Sequence, residues 1–140
     1  MAGNASPIFS RIGAIGGIGS TTILTATGDY TGIGANNILI FTADATNGGF
    51  VQRIRFKAIG TNIATVMRIY INNGSTNGTA TNNVFYGEVS LPATTATNTA
   101  ATVDVDYPMN FALSAGYRIY AGLGTTVASG WVASVIAGAY

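Results

Sequence analysis

Phe50-Val-Gln-Arg-Ile-Arg-Phe-Lys-Ala-Ile59 decides the fold. Ile54, Phe56 and Ala58 alternate with Arg53, Arg55 and Lys57. Successive side chains of a strand point to opposite faces, so this stretch reads as a strand with one buried and one cationic face. Residues 65–71 repeat the pattern, setting Met67, Ile69 and Ile71 against Val66, Arg68 and Tyr70. A polar loop follows at 72–79, with two Asn-Gly steps suited to the positive φ angles of tight turns. Further strands are expected at 21–27, 38–42, 84–91, 101–107, 109–113, 117–123 and 131–137. Segment 101–107 places Val103, Val105 and Tyr107 opposite Asp104 and Asp106. Short strands spaced by turn signals, with no amphipathic helix, predict an all-β chain: an antiparallel two-sheet β-sandwich of the jelly-roll kind.

Residues 1–20 differ from the rest. They hold Pro7, the apolar pair Ile8 and Phe9, and the glycine-rich run Gly13-Ala-Ile-Gly-Gly-Ile-Gly-Ser20. Glycine costs too much backbone entropy for a stable helix there. The expectation is an extended N-terminal arm (1–20) ahead of a sandwich domain (21–140). Ile8, Phe9, Ile12, Ile15 and Ile18 would be its anchors on another subunit.

The 140 residues include no histidine and no cysteine, six Lys or Arg, five Asp or Glu, and nineteen glycines. Most enzyme chemistry near neutral pH uses a histidine, a cysteine or tuned carboxylates. No cysteine means no disulfide and no thiolate metal site. Charged residues are 8% of the chain, against roughly 25% in ordinary soluble domains. A surface so poor in ions is neutral-polar, covered by partners, or both. The net charge of +1 gives no overall field to draw in nucleic acid or membrane. The first residues do not read as a signal peptide, and no apolar stretch approaches the roughly 18 residues of a membrane span.

Few residues offer chemistry. Asp104 and Asp106 point the same way on a strand and could begin a calcium site. The plainer reading pairs them with Arg53, Arg55 and Lys57 on a neighbouring strand. A glycosidase pair needs one carboxyl with a raised pKa in an apolar pocket, and nothing marks either aspartate that way. Arg53, Arg55, Lys57 and Arg68 with Tyr70, Phe85 and Tyr86 could suggest a single-strand nucleic-acid groove. A solvated or subunit-contacting face fits better, with Phe85 in the core. Gly13–Gly19 and Gly32-Ile-Gly34 lack the helix a phosphate loop needs. Trp131, Tyr117, Tyr120 and Tyr140 read as core or interface aromatics before ligand platforms. No catalytic residue, metal ligand or cofactor is expected.

Leu113-Ser-Ala-Gly-Tyr-Arg-Ile-Tyr-Ala-Gly-Leu-Gly-Thr-Thr126, followed by Gly130-Trp-Val-Ala-Ser-Val-Ile-Ala-Gly-Ala-Tyr140, resembles the end of capsid-associated jelly-roll proteins of tailed bacteriophages. Ala139 stands where that pattern has an aspartate. Segments 50–59 and 65–72 resemble the central hairpin of such proteins. The resemblance implies a structural virion protein, a cement or decoration protein on the capsid surface that stabilises the shell. Its partners would be the major capsid protein and itself, as a homo-oligomer with a trimer favoured, without nucleic acid or membrane. Arg53, Arg55, Lys57 and Arg68 would form a basic face against acidic capsid surface, and the arm would dock on the shell or clasp a sister subunit. The alternative is a head- or tail-fibre module that binds a receptor or carbohydrate.

Overall fold

A computed structural model describes residues 10–19 and 22–140. Among the described residues, eight strands carry the fold: β1 (Ile12–Gly16), β2 (Ile38–Thr42), β3 (Gly49–Ala58), β4 (Thr65–Asn72), β5 (Asn83–Leu91), β6 (Asp104–Leu113), β7 (Arg118–Leu123) and β8 (Trp131–Ala139). They form two four-stranded antiparallel sheets, ordered β1-β8-β3-β6 and β2-β7-β4-β5. The protein is an all-β two-sheet sandwich. The ladders nest as β1 with β8, β2 with β7, β3 with β6 and β4 with β5.

Alternation builds the core. Val51, Ile54 and Phe56 face inward from β3, Met67 and Ile69 from β4, Ile119, Ala121 and Leu123 from β7, and Trp131, Ala133 and Val135 from β8. The register of β3 shifts between Val51 and Arg53 against both neighbours. That shift explains why two core residues, Val51 and Ile54, lie three apart in a strand of period two.

Several sequence expectations are corrected. The two strands expected at 101–107 and 109–113 are one strand, β6. Pro108 does not end it, because β6 is an edge strand and needs no partner on its outer side. Asn110 adopts φ 54° within β6, where the register to β3 shifts. Segment 21–27 does not form a strand over its described residues. It makes only an antiparallel bridge, Ile23 to Trp131, and a parallel one, Ala26 to Leu123. β3 and β4 are not a hairpin, since they belong to different sheets.

The expected arm is a strand in part. Ile12–Gly16 is strand β1, paired in register with Val135–Ala139 of β8. Its glycines, which argued against a helix, are compatible with an edge strand that comes close to its neighbour. A Cβ on Gly16 would sit 2.3 Å from the Ile40 carbonyl oxygen of β2. Ile8 and Phe9, the outer anchors of the expected arm, lie outside the described residues.

Residues 22–37 start beside β8 of the first sheet, where Ile23 is buried, and from Thr27 onward run over the outer face of the second sheet. The Thr27 N–H donates to the Leu123 carbonyl at 3.0 Å. The Tyr70 hydroxyl donates to the Asp29 carbonyl at 2.8 Å. Gly122 makes this approach possible, because a Cβ there would fall 2.1 Å from Asn37 Oδ1. Phe85 is thereby drawn outward. It packs edge-on to Tyr30 (5.2 Å) and against Tyr70 (5.8 Å), on the covered outer face and outside the core cluster where it was expected.

Candidate interaction surfaces

The cationic stripe of β3 lies beside the aspartates of β6. The register pairs Arg55 with Asp106 and Lys57 with Asp104. Arg55 grips Asp106 through Nε at 2.9 Å and Nη2 at 3.1 Å. Its Nε is also 3.6 Å from Asp104. Lys57 Nζ is 3.8 Å from Asp104 and donates to the Thr102 carbonyl. Arg53 lies 3.9 Å from Asp106. The result is a charge ladder of three cations and two carboxylates on the outer face of the first sheet, each side chain roughly two-fifths exposed. Cross-strand pairing of opposite charges accounts for it without a bound ion.

The Arg55 hydrogen bond holds the Asp106 carboxyl below its ordinary range, and burial opposes it only in part. That is the reverse of the raised carboxyl a glycosidase acid needs. The same contact raises Arg55. Because the Asp106 value is depressed on folding, its contribution to stability is complete above the ordinary carboxylate value. It is lost as pH falls through the lowered one. Melting temperatures of the wild type are therefore expected to drop more steeply below about pH 4 than those of Asp106→Asn, and the difference to shrink in high salt. Parallel curves for the two proteins would show that the ladder adds nothing to stability.

Arg68, expected on the same basic face, is on the opposite sheet and only 11% exposed. Its Nη1 donates to the Asp29 carbonyl at 3.3 Å and its Nη2 to the Tyr30 hydroxyl at 3.0 Å. The guanidinium carbon is 4.1 Å from the Tyr30 ring centroid, and Nε is 3.5 Å from Glu88. Arg68 clamps the 22–37 segment onto the sheet and has little surface left for a partner.

The expected arm residues fare differently. Ile12, Ile15 and Ile18 are brought to one edge of the sandwich, and all three are exposed. Leu39, on β2, joins them. Ile15, Ile18 and Leu39 share an open groove between the ends of β1 and β2 with Gly16, Ile40 and Phe41. Leu39 gave no signal in the sequence, because the unbroken apolar run Ile38-Leu-Ile-Phe41 hides which member faces out.

Among the aromatics, Trp131 and Tyr120 are buried and Tyr117 and Tyr140 half-buried. Among the described residues, the exposed rings are Tyr30 and Tyr86. Tyr86 lies between the far edges of the two sheets, 6.2 Å from Tyr107 and 5.2 Å from Phe111. Among the described residues, no three Asp or Glu side chains gather as a metal site would require. No protein-family model, curated protein or solved structure matches the chain.

Proposed function

We propose that this chain is a structural virion protein, a non-enzymatic cement that binds the phage capsid shell and stabilises it, with the major capsid protein and further copies of itself as partners. The observation that carries the reading is the concentration of exposed isoleucines, Ile12, Ile15 and Ile18, along one edge of an otherwise well-packed sandwich. Three exposed isoleucines within seven residues, on a chain so poor in charge, favour a life in contact with other proteins. The nested ladders support a jelly-roll reading of the sandwich. The ladder of Arg53, Arg55 and Lys57, neutralised down to one net positive charge by its two aspartates, presents a face that neighbouring capsid proteins can meet at reduced desolvation cost.

The test is co-sedimentation with expanded capsids. The protein is expected to bind at a fixed ratio and to raise the temperature at which the shells come apart. Removal of residues 1–9, which carry Ile8 and Phe9 and leave β1 intact, is expected to weaken binding without lowering the protein's own melting temperature. Capsids that neither bind the protein nor gain stability would overturn the cement reading. The fibre-module alternative draws on the Tyr86, Tyr107 and Phe111 cluster. It predicts glycan binding that Tyr86→Ala abolishes.

A further inference from the structure

Three asparagines are followed by glycine: Asn47, Asn73 and Asn77. In that setting the main-chain nitrogen of the glycine can attack the asparagine Cγ, because no Cβ stands in the way. The nitrogen must shed its proton, and the amide must swing over to it. Hydrogen bonds on either group, or backbone packed against the glycine, hold the reaction back. At Asn47 the following glycine is buried, and its N–H donates to the Asp44 carbonyl at 3.0 Å. A Cβ on that glycine would lie 2.3 Å from the Leu113 carbonyl oxygen. At Asn73 the amide is held at both ends. Its Oδ1 accepts from the Ser75 N–H at 3.1 Å and its Nδ2 donates to Asn82 Oδ1 at 3.3 Å. The Gly74 N–H donates to Asn72 Oδ1 at 2.9 Å, and a Cβ there would fall 2.8 Å from the Gly116 carbonyl oxygen. Asn77 differs. Gly78 is exposed, and a Cβ on it would meet only the Thr76 hydroxyl, at 3.5 Å. Its N–H donates to that same hydroxyl at 3.2 Å, a neutral surface group that water can replace. Asn77 Nδ2 donates to the Gly32 carbonyl at 3.4 Å, longer than an ordinary N–H···O bond.

We propose that Asn77 is a self-modifying site, at which the folded protein converts asparagine to aspartate and isoaspartate while Asn47 and Asn73 are protected. The Gly78 nitrogen gives its proton to water or hydroxide and bonds to Asn77 Cγ. The Cγ–Nδ2 bond breaks, and ammonia leaves with a proton drawn from water. A cyclic imide remains. Water adds to either of its two carbonyls and opens it. One opening gives aspartate, and the other gives isoaspartate, in which the main chain runs through the side-chain carboxyl carbon. In sum, one amide and one water become one carboxylate and one ammonium ion, with no oxidant or reductant consumed. The new carboxylate has no donor to offer the Gly32 carbonyl, so the 72–79 loop loses that tie to the 22–37 segment. The net charge of +1 falls by one, to zero. The inference is independent of the capsid reading, and its test contains no capsids.

The full chain is incubated in mildly alkaline buffer, with and without urea, and mapped by peptide mass spectrometry that tells isoaspartate from aspartate. In the folded protein Asn77 is expected to convert at least about tenfold faster than Asn47 or Asn73, the difference that one or two further hydrogen bonds make. Isoaspartate should accompany aspartate at position 77, with ammonia released mole for mole. In urea the three rates should converge, because the fold no longer separates them. Gly78→Ala enters open space at a position without positive φ. It should keep the wild-type melt and slow the reaction at Asn77 alone. The proposal is overturned if Asn47 or Asn73 converts as fast as Asn77 in the folded protein, or if Asn77 keeps its amide while the urea-unfolded chain loses it. It is equally overturned if aspartate forms without isoaspartate, or if Gly78→Ala reacts at the wild-type rate.

Discussion

Replacing Asn62 by leucine is expected to lower the unfolding free energy by about 3–5 kcal/mol, although the residue sits in a loop and carries no charge. Asn62 is 4% exposed and ties three loops together. Its Oδ1 accepts from the Ser129 N–H at 2.9 Å and the Gly130 N–H at 2.7 Å. Its Nδ2 donates to the Gly130 carbonyl at 3.1 Å and the Gly60 carbonyl at 3.3 Å. Its backbone exchanges hydrogen bonds with Thr94, whose hydroxyl donates to the Gly60 carbonyl at 2.7 Å. Leucine matches the volume and strands several of these groups away from water. Each unmet buried group costs about 1–3 kcal/mol, which is why the loss exceeds that of an ordinary loop substitution. Urea titration measures it. Thr94→Ala should cost less, and the double variant less than the sum, because both residues serve the Gly60 carbonyl. A loss under about 1 kcal/mol for Asn62→Leu would mean that water replaces the side chain at no penalty.

The contrast between Asn62 and Ile54 shows what the sequence made legible. Ile54, Phe56 and Ala58 announced their face by period two, and the structure buries all three. Met67 and Ile69 did the same on β4. The pairing of Asp104 and Asp106 with the β3 cations was readable as well, since alternation fixed both faces and opposite charges favour neighbouring strands. What stayed hidden depends on contacts between residues far apart in the chain. Arg68 has the same local pattern as Arg55, yet it is roofed by Asp29 and Tyr30, and no periodicity foretells a loop that folds back over a sheet face. β1 was hidden because its glycines argued only against a helix. Its strand conformation comes from pairing with β8, more than a hundred residues away. Asn62 was one polar residue among many, and its role arises only where the 59–64, 92–96 and 127–130 loops converge. The candidate surface was legible in part: Ile12, Ile15 and Ile18 were read as exposed contacts, but as points on a loose arm instead of an edge of the sheet.

The second large effect is expected at Trp131, the single tryptophan of the chain. It is 0% exposed, stands opposite Ala58 on β3, and exchanges backbone hydrogen bonds of 2.8 and 3.0 Å with Ile23. Trp131→Ala should cost about 3–5 kcal/mol, because the β8–β3 backbone cannot collapse into the space left by the indole. Its buried Nε1 finds no hydrogen-bond partner among the described residues. Phenylalanine removes that donor along with part of the volume, so Trp131→Phe should cost less than about half as much. Denaturant midpoints with an unchanged slope measure both. The pair of variants also separates a core residue from a ligand platform. A sugar-stacking tryptophan would lose binding on truncation and leave the fold nearly untouched, whereas this one must lose stability first. If Trp131→Ala kept its midpoint, Trp131 could not be filling the core between the two sheets, and the inward face assigned to β8 would be wrong.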